Sequence, residues 1–473
     1  MIPSESPVLP GQANAHSSAR YPLSLTGDPF VDTGITAIEL MTGKSWPDIQ
    51  EDDFKKAADD LIKLYMTPAW SKDLNSIFPN SSYIQYSPGY DRKEKSREFL
   101  FELIDGLNDR QSNSHYCSFC GAPAFTRKDA TPFVKAHIPL TGSSKFTNFF
   151  PSLRNGVTVC ARCVFAIQFI PLVSYKIRGK PCIISSNNPE IVKQIAKETI
   201  DEINKKRILG DFQSTDTSGI INEKFRNPQN ALFHLAYKVT QKYSIAGITG
   251  ENEEITLYHF DNKNQNSWGV RIYTLPNNIF KFVGIVMNSP EYKLKWFALL
   301  SRYYDKSTKI PDDLPIWKGA SNKIYNRLLN DQSILWAFKD DESKTLTVPF
   351  VIVERYLKLV KKMSQQRIER IKKLADRIAQ SIEESGKVRR VNDLLVARDL
   401  PSFRNQLQLI FKDWQKMGHE DPLISFDEYV DVIIPGDYLS WTEVRDLIII
   451  RLYEKLHPML VKGEKSEPIE EES

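Results

Sequence analysis

The chain has 473 residues, 41% of them hydrophobic and 26% charged, which suits folded domains with real cores, about three by length. A formal net charge of +4 is too small to mark the whole surface as a nucleic-acid binder, so any basic surface has to be local. Five cysteines, a Ser- and Pro-rich start and no apolar run near the roughly 18 residues of a membrane span argue against a disulfide scaffold, a secreted protein and a membrane protein; the cytoplasm is the expected location.

Residues 1–26 read as a flexible segment. Gly27-Asp28-Pro29-Phe30-Val31-Asp32-Thr33-Gly34 follows, with Asp28 or Asp32 placed to cap a helix that Ile35 and Ile38 continue. Apolar stripes predict helices over 52–65 and 93–107. Then come two Cys-x-x-Cys pairs, Cys117/Cys120 and Cys160/Cys163, with 39 residues between them. Each pair can put two thiolates on one knuckle, and two knuckles make the tetrahedral set of a structural Zn2+. Metal binding would then clamp a segment, 115–165, that has too little core of its own.

Between the pairs lie His137-Ile138-Pro139-Leu140 and the polar Lys145 and Asn148. The order thiolate pair, histidine, asparagine, thiolate pair is similar to that of HNH-type nucleases. Ala136 and Val164-Phe165, however, stand where such a site wants an acid and a second metal-binding side chain. His137 is therefore expected to be structural, and an HNH-like metal-dependent nuclease is the alternative.

After Cys163 the pattern predicts strands over 169–177 and 182–185 around an Arg178-Gly179 turn, with Cys182 an inert core thiol. Helices follow at 189–206 and 229–243, the second carrying His234 as a core histidine. Strands at 254–260 and 268–275 flank a loop containing Lys263 and Asn264. Mixed strand and helix is expected over 281–295. From Pro349 a helical stripe runs from Ile352 to Ile382, and residues 349–380 hold nine basic against three acidic side chains, net +6, a pattern suited to phosphates. Helices at 390–398, 401–417 and 441–456 complete an all-α bundle, and 461–473 read as a disordered acidic tail.

The fold class expected is α+β: a mixed region, 27–345, with the inserted four-cysteine zinc-binding segment, followed by a helical bundle, 346–460. The Gly27–Gly34 opening, the double knuckle and the C-terminal helices together resemble the CXXC–CXXC CRISPR-associated proteins, large subunits of the type I-B Cascade effector. That resemblance implies a non-enzymatic subunit that reads the protospacer-adjacent motif in target double-stranded DNA and supports the R-loop and the displaced non-target strand. It also implies recruitment of a helicase–nuclease, while a guide crRNA reads sequence. The implied partners are the backbone subunits, the crRNA 5′-end subunit and separate small subunits. The bundle resembles a fused small subunit, with internal initiation at Met363 or at a non-AUG start near residue 348 as one source of the separate copies. For the motif-proximal duplex, residue chemistry favours Lys145, Asn148, Asn187, Asn188, Lys263, Asn264, Asn277 and Asn278. For the displaced strand or backbone phosphates it favours Arg355, Lys358, Lys362, Arg370, Lys373 and Arg377.

Overall fold

Asp28 caps helix α1 (Pro29–Thr42), accepting from the Phe30 and Val31 amides, and Pro29 fills the first helical position, where no donor is needed. Asp32 reaches back to accept from the Thr26 and Gly27 amides at 2.6 and 2.9 Å, which ties the Gly-Asp-Pro turn to the helix it opens. These positions come from a computed structural model that describes residues 25–107, 115–141, 156–210, 219–221, 223–243, 253–261, 269–309, 314–433 and 441–464. The expected flexible N-terminal segment and acidic tail lie almost wholly outside the described residues.

The amphipathic stripes form α2 (Glu51–Tyr65) and α4 (Arg92–Leu107), with the short α3 (Ser71–Ile77) between them. The strand expected over 169–177 is shorter than predicted, and the second cysteine pair before it leads into a helix. The pair opens α5 (Ala161–Ile167), a 3-10 turn follows at Ile170–Val173, and only Tyr175–Ile177 is strand, β1. Every residue of α5 is buried, and a helix enclosed on all sides has the continuous apolar sequence of a central strand.

Arg178 and Gly179, at φ 52° and 72°, turn β1 into β2 (Lys180–Ser186), the tight hairpin the sequence predicts. Helix α6 (Pro189–Ile208) follows, then β3 (Glu223–Phe225), α7 (Pro228–Tyr243), β4 (Ile255–Asp261) and β5 (Gly269–Leu275). The strands form one sheet in the order β3-β1-β2-β4-β5, antiparallel except for β1 with β3. Alternation along β2 and β4 gives the sheet two apolar faces. Ile183 and Phe260 join a cluster with α1, α2, α4 and α5; Cys182, Ile184, Ile255 and Leu257 join a second with α7 and α8 (Asn277–Asn288). Lys176 of β1 and Asp73 of α3 add a buried ion pair at 2.5 Å, and the Ile221 amide donates to the same carboxylate.

Residues 281–295 are helical throughout but for a break at Ser289, in α8 and α9 (Pro290–Arg302); short α10 (Ile316–Gly319) and α11 (Lys323–Leu329) follow. A small hairpin, β6 (Lys339–Asp340) and β7 (Thr345–Leu346), leads to α12 (Phe350–Leu359). Then come α13 (Gln365–Ser385), α14 (Arg389–Leu395), α15 (Leu400–Lys416), α16 (Phe426–Ile433) and α17 (Trp441–Glu464). The unbroken stripe expected from 352 to 382 is in fact two helices. Lys362 takes a left-handed φ of 53°, and Ser364 caps the new helix by accepting from the Arg367 amide. These helices share the second cluster with the sheet: Phe282 of α8 meets Tyr356 of α12 edge-on at 6.0 Å.

Candidate metal centre and nucleic-acid interface

Two knuckles come together because the chain around each is laced to the other. The first closes through Gly121, whose amide donates to the Cys117 carbonyl at 2.9 Å with φ at 71°, where a β-carbon is strained. The Ser118 and Phe125 amides donate to the carbonyls of Thr158 and Val159, just before the second knuckle. Cys160 then caps α5, its sulfur facing the Cys163 amide at 3.5 Å. The long spacer is drawn in by a bridge between Phe133 and Val157.

The four Sγ atoms lie within 4.8 Å of one another, with Cys120 and Cys160 at 3.5 Å. Sulfurs at about 2.3 Å from a tetrahedral zinc stand about 3.8 Å apart, so the arrangement fits such an ion. Their contacts lower the Cys117 thiol and push Cys160 and Cys163 up, so four thiolates need a cation between them. The four cysteines can therefore hold a metal ion, a set compatible with zinc; bound there, it would supply structure by closing two knuckles into one unit. Among the described residues this is the one cluster of three or more such donors.

Residues 110–175 match the model of the CRISPR-associated protein family (Cas_CXXC_CXXC). The match supports a CRISPR-associated protein of the CXXC–CXXC type. It covers the double knuckle, α5 and the start of β1; the Gly27–Gly34 opening and the helices beyond 346 lie outside it. No curated protein and no solved structure matches the chain. Among the described residues no helix is long and apolar enough to cross a membrane.

His137 sits between Phe99 and Phe133, ring centres 5.1 and 5.7 Å away, and its Nδ1 faces the Val134 amide at 3.3 Å. Burial, with Arg127 nearby, pulls its pKa down to about 4. Its carbonyl accepts from Gln168 Nε2, and the same side chain donates to Val164 O and faces Tyr83 Oη. Gln168 is fully buried at the end of α5. A lone glutamine after an apolar run carries no periodic signal, so nothing in the sequence marks Gln168.

Lys145, Asn148, Lys263 and Asn264 lie outside the described residues. The other asparagines gather at one end of the sheet. Ser186, Ile255 and Leu275 pair across β2, β4 and β5, so Asn187–Asn188 and Asn277–Asn278 leave the strands on the same side. Three of them also hold backbone: Asn187 accepts from the Glu254 amide, Asn188 caps α6, and Asn278 donates to Val360 O at the end of α12. That last bond brings α12 beside them. Arg355 and Lys358 of α12, and Lys362 just beyond it, are exposed. The rest of the basic stripe is otherwise engaged: Lys373 and Arg377 pair with Glu428 at 3.1 and 3.2 Å, and Arg370 is half-buried. Cys182 is fully buried in β2, and burial pushes its thiol up. His234, expected in the core, is half-buried and stacks on Trp317 instead.

Proposed function

We propose that the chain is the large subunit of a type I-B Cascade complex, and that its four cysteines hold a structural zinc. In this reading it reads the protospacer-adjacent motif in duplex DNA without catalysis, supports the R-loop and displaced strand, and helps recruit a separate helicase–nuclease. Guide crRNA, the backbone and 5′-end subunits and small subunits are its partners, and 346–460 is the fused small-subunit portion. The observation that carries the reading is the family match over the double knuckle. Two further features support it. The four asparagines lie at one end of the sheet and Asn278 ties that end to α12, whose Arg355 and Lys358, with Lys362 just beyond, are exposed; amides and lysines suit a duplex groove edge and its phosphates. His137 is packed as a structural residue, low in proton affinity and bracketed by phenylalanine rings.

Tagged chain recovered from its host should bring down a guide RNA and several protein subunits, and the isolated chain should leave duplex DNA uncut in Mg2+ or Mn2+. Metal-dependent nicking that disappears in His137→Ala would replace this reading with the nuclease one.

A further inference from the structure

Two recesses open on either side of a stacked ring pair, His234 of α7 and Trp317 of α10, 5.2 Å apart at 30°. The larger, about 550 Å³, lies between α7, α9, α10 and α11. Its inner wall is a chain of hydrogen bonds: Trp296 Nε1 donates to Tyr237 Oη at 2.9 Å, and Tyr237 Oη donates to Tyr325 Oη at 3.0 Å. Phe297 and Trp317 stand at its mouth, 38% and 37% exposed. Trp317 is held in place before anything binds. Asn230, 2% exposed, donates through Nδ2 to the Trp317 and Ala320 carbonyls at 2.9 and 2.6 Å, while its Oδ1 accepts no hydrogen bond.

The charge in this recess has one sign. Lys238 and Lys293 line it and, among the described residues, no carboxylate does. Lys238 is paired with Glu198 of α6, which leaves Lys293 as the lining cation; Lys318 lines the smaller recess, its Nζ 5.2 Å from the Trp317 ring centre. An aliphatic side chain would make no use of the lysines, and a cationic one would be repelled by them. A flat ring with an attached phosphate uses the aromatic mouth, the amides of Asn230 and Gln241 and the cations together.

We propose that this recess takes one unstacked nucleobase of a single-stranded nucleic acid, its phosphate held by Lys293. The proposal rests on the nucleic-acid role put forward above, and its test separates the two. Full-length, metal-loaded protein is titrated against ten-nucleotide single strands, DNA and RNA, carrying one central 2-aminopurine, with the matching duplex as control. Wild type should change the fluorescence of the single strand, and Phe297→Ala and Trp317→Ala should each weaken that binding about tenfold without altering duplex affinity. Preference for the DNA strand would assign the displaced strand as the source, and preference for RNA the guide; either supports the recess. Both side chains are more than a third exposed, and Lys293→Glu gives the same reading without removing a ring. Binding by all three variants within twofold of wild type, or no fluorescence change, overturns the proposal. A complex that still assembles with guide RNA in that case sinks the recess alone; failure to assemble with RNA sinks the large-subunit reading as well.

Discussion

A β-carbon placed on Gly34 would fall 2.0 Å from the carbonyl oxygen of Ala166, so α1 touches α5 backbone to backbone. No side chain can move aside there. Gly34→Ala should therefore cost about 3 kcal/mol or more, the upper range for overpacking, in a urea melt of the metal-loaded protein. A cost below about 0.5 kcal/mol would mean that the two helices are not in this contact. His137 makes the complementary point about charge. Its pKa of about 4 lies below the free value near 6.5, so the native state binds fewer protons than the unfolded one between those limits. The stability it contributes is complete above pH 6.5 and lost as pH falls towards 4. Compared with His137→Leu, wild type should lose about 3 kcal/mol over that window. Thiolate protonation is common to both proteins and cancels in the difference. A histidine waiting to act as a base near neutrality would show no such gap.

At the scale of elements, what the sequence disclosed followed from how its signals arise. The amphipathic helices α2, α4, α6 and α15 were legible because one face of each is wet and the other dry, and α1 through its Asp-Pro cap, as were the Arg178-Gly179 turn and the two cysteine knuckles. Helix α5 was not, since burial on every side erases the 3.6-residue period. The break between α12 and α13 was hidden by a stripe that stays in phase across it. Only the left-handed Lys362 and the Ser364 cap mark it. The basic stripe illustrates a further limit, because counting charges along one segment ignores acids brought in from elsewhere. Glu428 of α16 meets both Lys373 and Arg377. Arg355→Glu, Lys358→Glu and Lys362→Glu together should therefore weaken DNA binding and flatten its log–log salt dependence by up to about 3. Reversing Lys373 and Arg377 should instead lower the melting temperature through Glu428, with a smaller change in salt slope. Equal salt slopes for the two sets would remove α12 from the interface.

Across the whole molecule, the five-stranded sheet does more than present loops. Ile183 and Phe260 point into the cluster that surrounds the cysteine unit, while Cys182, Ile184 and Leu257 point into the one that continues through α12–α17. The two halves thus lean on a single partition only one residue thick. If the four cysteines hold a metal, stripping it with a chelator should for that reason not be a local injury. Amide hydrogen exchange should quicken first around 115–125 and 156–167, then along β2 and β4, and then in α7 and α8 on the far side. Were acceleration to stop at the near face, the strands would be rigid enough to insulate one half from the other. If it passes through, loss of one small ion would be felt by helices that come nowhere near it.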